Sequence, residues 1–225
     1  MKARTQNCSK HGHPEFSLVC DDASVFERQV KWLLDWLEEE VSRGKQFLPD
    51  QTVQVGWSVL KVGRRADESL ALFEPDFKSV PMVFVDNVSK TLVHLLIQKS
   101  VTESLGLENE ISLPSLRESA IICTDFGTGK GVFLDRAKPS GHASGWFFGC
   151  SNAQHNHQAA QNLRLVSLYE ACVLLDETVI PYLGLPAGIK ISFSGAIPRF
   201  FLNERELLIK HGSYLDKKFL AQKNP

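Results

Sequence analysis

Apolar residues recur at three- and four-residue intervals early in the chain, at Phe26, Val30, Leu33, Leu34, Leu37 and Val41. That spacing lays one apolar stripe along a helix, so an amphipathic helix is predicted from residue 24. Ser24 and Glu27 have the Ser-x-x-Glu spacing of a capping box, and Gly44 supplies the stop. A period of two follows at Val53, Val55, Trp57 and Val59, which predicts a single strand with one buried face. Residues 63–67, GRRAD, read as a hairpin turn into a strand at 69–73, and short strands are predicted at 15–20 and 81–85. A second helix, over residues 88–105, turns Leu92, Leu95, Leu96 and Leu105 inward and ends at Gly106. The arm before residue 12 shows no pattern and is expected to be disordered.

Beyond Pro114 the pattern is richer in strands. Strands are predicted at 119–124, 131–136, 144–149, 189–193 and 199–202, with a helix at 165–179 ended by Pro181. Residues 150–162 are polar throughout and predict a long loop. The tail from residue 203 holds a last amphipathic helix, with Leu207, Leu208 and Leu215 facing inward. Strands with covering helices in both halves give an α+β fold of two small domains, each a mainly antiparallel sheet covered by helices. Their seam is placed near residues 106–116, giving domains 1–113 and 114–225.

Charge sharpens that division. The 225 residues carry 25 Lys+Arg against 26 Asp+Glu, a net charge of −1 that argues against a general nucleic-acid binder. Residues 1–113 hold 13 basic and 17 acidic side chains, net −4, and residues 114–225 hold 12 and 9, net +3. No apolar run approaches the ~20 residues of a membrane span, and the opening MKARTQNCSKHGHPEF has no apolar core behind its charges, so no secretion signal is expected. Five cysteines, with no Cys-x-x-Cys pair, fit a reducing compartment, and a cytoplasmic protein is expected.

Several segments resemble chemistry. Residues 125–131, DFGTGKG, lack the spacing of a phosphate loop and lead into a strand, so a glycine hairpin is expected instead. His155 and His157, with Cys150 and His142 upstream, resemble a metal or nuclease cluster, but a zinc site needs four converging ligands and the spacing offers no second matched pair. Cys8, His11 and His13 are also short of ligands. No metal, cofactor or catalytic residue is therefore expected, and the alternative kept open is a small metal-dependent hydrolase using His142, Cys150, His155 and His157. On the first helix, Asp35, Glu38, Glu39 and Glu40 crowd several negative charges onto one face, which suits attraction of a basic protein partner.

The stretch from the strand ending in Arg136, through a loop with Pro139, to Ser144-Gly145-Trp146, then a polar loop, a helix and VIPYLGLPAG, resembles immunity family thirty-three of bacterial polymorphic toxin systems. The resemblance covers residues 117–195, and the first half resembles a companion domain of similar immunity proteins. It implies a non-enzymatic protein that binds a cognate toxin and neutralises it, with toxins of the type VI secretion system among the family's partners. A cytoplasmic inhibitor matches a toxin acting there, and a nuclease, a DNase above all, leads the list. The toxin-contact residues expected on this basis are Asp35, Glu38, Glu39, Glu40, Gln154, His155, Asn156 and His157. Ser144, Gly145 and Trp146 are expected to serve packing and the turn into the strand.

Overall fold

The computed structural model of the protein describes residues 2–21, 23–128 and 131–219, with side chains of the first helix described from residue 27 onward. The expected Ser24 cap, the Phe26 contact, Asp22, Gly129 and Lys130 lie outside the described residues. The fold is α+β, built as two compact units, Met1–Leu96 and Ile97–Pro225. The division falls inside a helix, upstream of the seam expected at residues 106–116.

In the first unit, β1 (Lys2–Arg4) and β2 (Ser17–Val19) pair antiparallel, and α1 (Ala23–Ser42) follows. The strands β3 (Thr52–Val55), β4 (Ser58–Arg64), β5 (Leu70–Asp76) and β6 (Val83–Val85) form an antiparallel sheet in that order. The helix α2 (Ser89–Ser104) follows β6. Val30, Leu33, Leu37 and Val41 of α1 are buried in one cluster with Val53, Val55, Leu60, Val62, Leu70 and Leu72 of the sheet, as the helical stripe predicted. Glu74 of β5 is buried, and its carboxylate accepts the first-turn amides of Lys90 (3.1 Å) and Thr91 (2.7 Å) of α2.

Two expectations fail here. The strand predicted through Val53, Val55, Trp57 and Val59 is a tight hairpin, because Gly56 takes a positive φ of 59° and Val55 pairs with Ser58 across it. The arm before residue 12 is ordered rather than disordered, because two carboxylates gather its amides. Glu15 accepts from the Thr5 hydroxyl (2.5 Å) and the Cys8 and Ser9 amides, and Glu38 accepts from the Gln6 and Asn7 amides and the Asn7 side chain. Partial burial acts to raise the Glu15 carboxyl, but these donors outweigh it and lower it from 4.5 to about 2.

The second unit is built on a seven-stranded sheet. Its strands are β7 (Ser119–Cys123), β8 (Val132–Arg136), β9 (Ala143–Cys150), β10 (Leu163–Ser167), β11 (Ile189–Ser192), β12 (Arg199–Leu202) and β13 (Arg205–Leu207). Their order is β10-β7-β9-β8-β11-β12-β13, antiparallel throughout except that β7 and β9 run parallel. The hairpin expected at residues 125–131 is therefore a crossover, since β9 lies between β7 and β8. The helix predicted at 165–179 is also shorter. Its first residues form the edge strand β10, and α3 (Leu168–Leu174) begins only after Ser167, which closes a capping box with Glu170. Strand β13 takes up Leu207, Leu208 is 84% exposed, and α4 (Tyr214–Phe219) buries Leu215.

One buried cation joins the loops around this sheet. Arg136, at the end of β8 and 1% exposed, donates from Nε to the Ser144 carbonyl (3.2 Å) and from Nη1 to the carbonyls of Ser112 (2.6 Å), Leu183 (3.5 Å) and Leu185. Its guanidinium lies 5.4 Å from the centre of the Trp146 ring, and the Trp146 indole donates to the Leu183 carbonyl at 3.3 Å. Burial lowers the arginine to about 10, so it stays charged at neutral pH.

Arg136→Met should destabilise the protein by about 3–5 kcal/mol, because several buried carbonyls lose their donor together. Urea unfolding followed by tryptophan fluorescence measures this, and a loss under about 1 kcal/mol would show that the carbonyls find other donors. A second expectation concerns acid. Glu15 has a folded value below its unfolded one, so its contribution is complete above pH 4.5 and fades as pH falls towards about 2. The stability gap between wild type and Glu15→Gln should therefore be widest near neutrality and close across that window. A gap independent of pH would remove Glu15 as the anchor of the arm.

Candidate functional site

The polar loop after β9 is where titratable groups meet. Cys123 ends β7 and Cys150 ends β9, and the parallel pairing of these strands sets their ends side by side. The loop then returns to β10, whose first residue Leu163 pairs with Cys123. Along it the side chains alternate, with Gln154, Asn156 and Gln158 exposed and His155 and His157 partly buried.

The Cys123 and Cys150 sulfurs are 3.5 Å apart. Nε2 of His155 lies 3.3 Å from the Cys123 sulfur, and Nε2 of His157 lies 3.4 Å from the Cys150 sulfur. One donor atom from each of the four residues falls within 4.8 Å of every other. Both thiols are buried free cysteines, and the His155 side chain is only 7% exposed. Behind the first histidine, Nδ1 of His155 pairs with Oδ2 of Asp125 at 2.7 Å. The His157 ring packs edge-on against Phe133 and Phe147 of the sheet. Burial pushes the Cys150 thiol up and holds the His157 imidazolium below its usual range, so His157 is neutral at pH 7. These are donors of the kind that bind transition metals.

Three of the four residues named for the hydrolase alternative thus come together, and the fourth does not. His142 is exposed and immediately precedes β9, at the end remote from Cys150. Cys123 takes its place, a residue the sequence reading passed over because it lies 27 positions from Cys150. The amino-terminal lookalike does not assemble. His13 uses Nδ1 at the Pro14 carbonyl and Nε2 at the Phe47 amide, Cys8 donates to the Thr5 hydroxyl, and His11 is exposed.

The acidic face of α1 is largely balanced. Asp35 pairs with Lys31 at 2.7 Å, Glu39 with Arg43 at 2.6 Å, and Glu40 with Lys45 at 2.7 Å. Glu38 is occupied by the arm. An apolar feature appears on the other unit instead. Leu165 of the edge strand β10, 74% exposed, is the direct partner of Ile121 on β7, which is 39% exposed. Ile121 in turn pairs with Phe147, so one row runs from the exposed sheet edge to the half-buried ring beneath His157.

The Ser144-Gly145-Trp146 triplet is built into the structure's interior. The buried Ser144 hydroxyl donates to the Ser119 carbonyl at 2.8 Å and accepts the Trp146 amide at 3.2 Å. Trp146 is buried and stacks on Phe148 with ring centres 6.2 Å apart. Gly145 has a positive φ of 82°, and a Cβ there would sit 2.1 Å from the Ala137 carbonyl oxygen.

Residues 97–198 match the model of the Imm33-like domain family. No curated protein and no solved structure matches the chain. The matched segment begins where the second unit begins and spans the triplet, the Cys/His loop and α3.

Gly145→Ala should cost at least about 2 kcal/mol, since the new methyl meets a carbonyl in a backbone conformation that favours glycine. Thermal or urea unfolding reads this directly. Wild-type stability in the variant would mean that the turn relaxes freely and that the triplet's glycine is not held by geometry.

Proposed function

We propose that this chain is an immunity protein that binds a cognate toxin by direct contact and neutralises it, the toxin being a nuclease that acts in the cytoplasm. The observation that carries the reading is the Imm33-like match over residues 97–198. An inhibitor of this kind needs no reacting centre. It needs a rigid surface that buries about 1,200–2,000 Å² in the complex, with a few apolar anchors supplying most of the affinity.

The second unit offers such a surface. Leu165 and Ile121 form a solvent-facing apolar pair at a free sheet edge, next to a loop that turns Gln154 and Asn156 outward. Apolar anchors beside adaptable amides are the composition of a specific contact. The nuclease reading rests on charge at longer range. Residues 1–113 carry net −4, which favours approach of a basic enzyme even though Asp35, Glu39 and Glu40 are individually paired. No described helix is long and apolar enough to cross a membrane, which agrees with action by contact with a soluble partner.

Co-expression with the carboxy-terminal domain of the toxin encoded beside this chain tests the reading, scored by growth rescue and co-elution. Rescue with a stable stoichiometric complex is expected. An active toxin that neither binds nor is neutralised would break the pairing. Within a working pair, Leu165→Asp should weaken binding at least about tenfold, mainly through faster dissociation, while leaving the unfolding temperature unchanged. Wild-type affinity in this variant would move the contact off the β10 edge.

A further inference from the structure

We propose that Cys123, Cys150, His155 and His157 bind one zinc ion as a closed, structural Cys2His2 site that fastens the 151–162 loop to the ends of β7 and β9. The proposal stands on geometry and donor chemistry, independently of any toxin.

Tetrahedral zinc with Zn–S of about 2.3 Å and Zn–N of about 2.0–2.1 Å sets its ligand atoms roughly 3.3–3.8 Å from one another. Of the six separations among the four ligand atoms, 3.5 Å between sulfurs and 3.3 and 3.4 Å between sulfur and nitrogen fall in that range. All six are within 4.8 Å, so closing on an ion asks for a small inward shift of the side chains. At 3.5 Å the sulfurs are not bonded to each other, a disulfide bond being about 2.05 Å. A two-iron cluster with two cysteines and two histidines places each like pair on its own iron, whereas here each sulfur lies beside an imidazole nitrogen. Two thiolates and two neutral imidazoles select zinc over magnesium or calcium, which prefer oxygen, and the two thiolates cancel its charge inside a buried site.

The surroundings are those of a metal site. Asp125 holds Nδ1 of His155 at 2.7 Å, the carboxylate–histidine arrangement that fixes the ring so that Nε2 faces the ion. The Cys123 sulfur also receives the backbone amide of Asp125 at 3.4 Å, which suits a sulfur that carries negative charge. With four side chains filling four positions, the ion keeps none for water. The cluster is therefore a fastening and not the hydrolytic centre that His142, Cys150, His155 and His157 would have made.

The test uses the untagged full-length protein, purified without chelator. Mass-spectrometric metal analysis should find close to one zinc per chain after gel filtration. Replacement by cobalt(II) should give intense visible bands of a tetrahedral ion with thiolate-to-cobalt charge transfer in the near ultraviolet. Cys123→Ser/Cys150→Ser should abolish both signals, Asp125→Asn should weaken metal binding by about 10–100-fold, and His142→Ala should retain full zinc. If the double variant does not fold, the wild-type cobalt spectrum and the Asp125→Asn affinity decide. A folded wild type without zinc and without cobalt charge transfer overturns the proposal. So does full zinc in the double variant, which would place the metal elsewhere, or a Cys123–Cys150 disulfide in the intact mass.

Discussion

The second unit is organised around a positive charge that has been taken out of water with no ion pair among the described residues, the Glu118 carboxylate acting on it only at longer range. The Arg136 guanidinium is surrounded instead by the carbonyls of Ser112, Ser144, Leu183 and Leu185 and by the face of Trp146. Peptide dipoles replace the lost hydration, and they do so only when each chain segment stops with its carbonyl at the right place. That requirement links the loop before β7, the entry to β9 and the turn after α3. Gly145 lets the chain pass against Ala137 so that Ser144 can present its carbonyl, and Ser144 spends its hydroxyl on Ser119. The strand ending in arginine, the Ser-Gly-Trp triplet eight residues on and the more distant IPYLGLPAG segment form the shell of one cation, and all three lie inside residues 97–198.

Much of the fold was legible because periodicity reports burial. The stripe on α1 and most strands follow from spacing alone, since a helix or strand that buries one face must repeat at its own period. The failures have two causes, a tight turn hidden inside a regular stretch and partners that lie far along the chain. Val53, Val55, Trp57 and Val59 keep a period of two across a tight turn, and only the positive φ of Gly56 breaks the strand there. Residues 165–167 read as helix because their apolar spacing is compatible with one, yet they pair with β7 and the Ser167–Glu170 box sets the helix start after them. That box was visible as Ser-x-x-Glu. The ordering of the arm depends on Glu15 and Glu38 acting over distances of up to 32 residues, which composition cannot reveal.

The site was legible in part. His155 and His157 stand two residues apart in the polar stretch that Cys150 opens, which put three of the four donors near one another in the sequence. Cys123 was hidden because its approach depends on β7 and β9 being parallel neighbours, and a reading that joined β7 to β8 by a hairpin put it in the wrong place. The acidic run shows what a sequence leaves out, because Asp35, Glu39 and Glu40 each have a basic residue four or five positions away within ion-pair distance. A charge count along a helix is not a surface potential until its neighbours are placed.

A polar loop of a dozen residues is a poor binding surface unless something else orders it, because every amide it presents loses conformational freedom on binding. Here the alternation along the loop separates the two tasks. His155 and His157 turn inward to the cysteines and the Phe133–Phe147 rings, while Gln154 and Asn156 turn outward. Side chains that anchor are thereby different from side chains free to contact a partner. A zinc ion at the inward set ties the loop at two residues to the ends of β7 and β9, which carry Ile121 and Phe147 of the row that begins at Leu165 on β10. The loop's shape is then set before any partner arrives, and less of the contact energy is spent on ordering it. The same fastening accounts for thiols and imidazoles being enclosed together without a water position, since an anchor gains from closure whereas a hydrolytic metal loses its reaction by it.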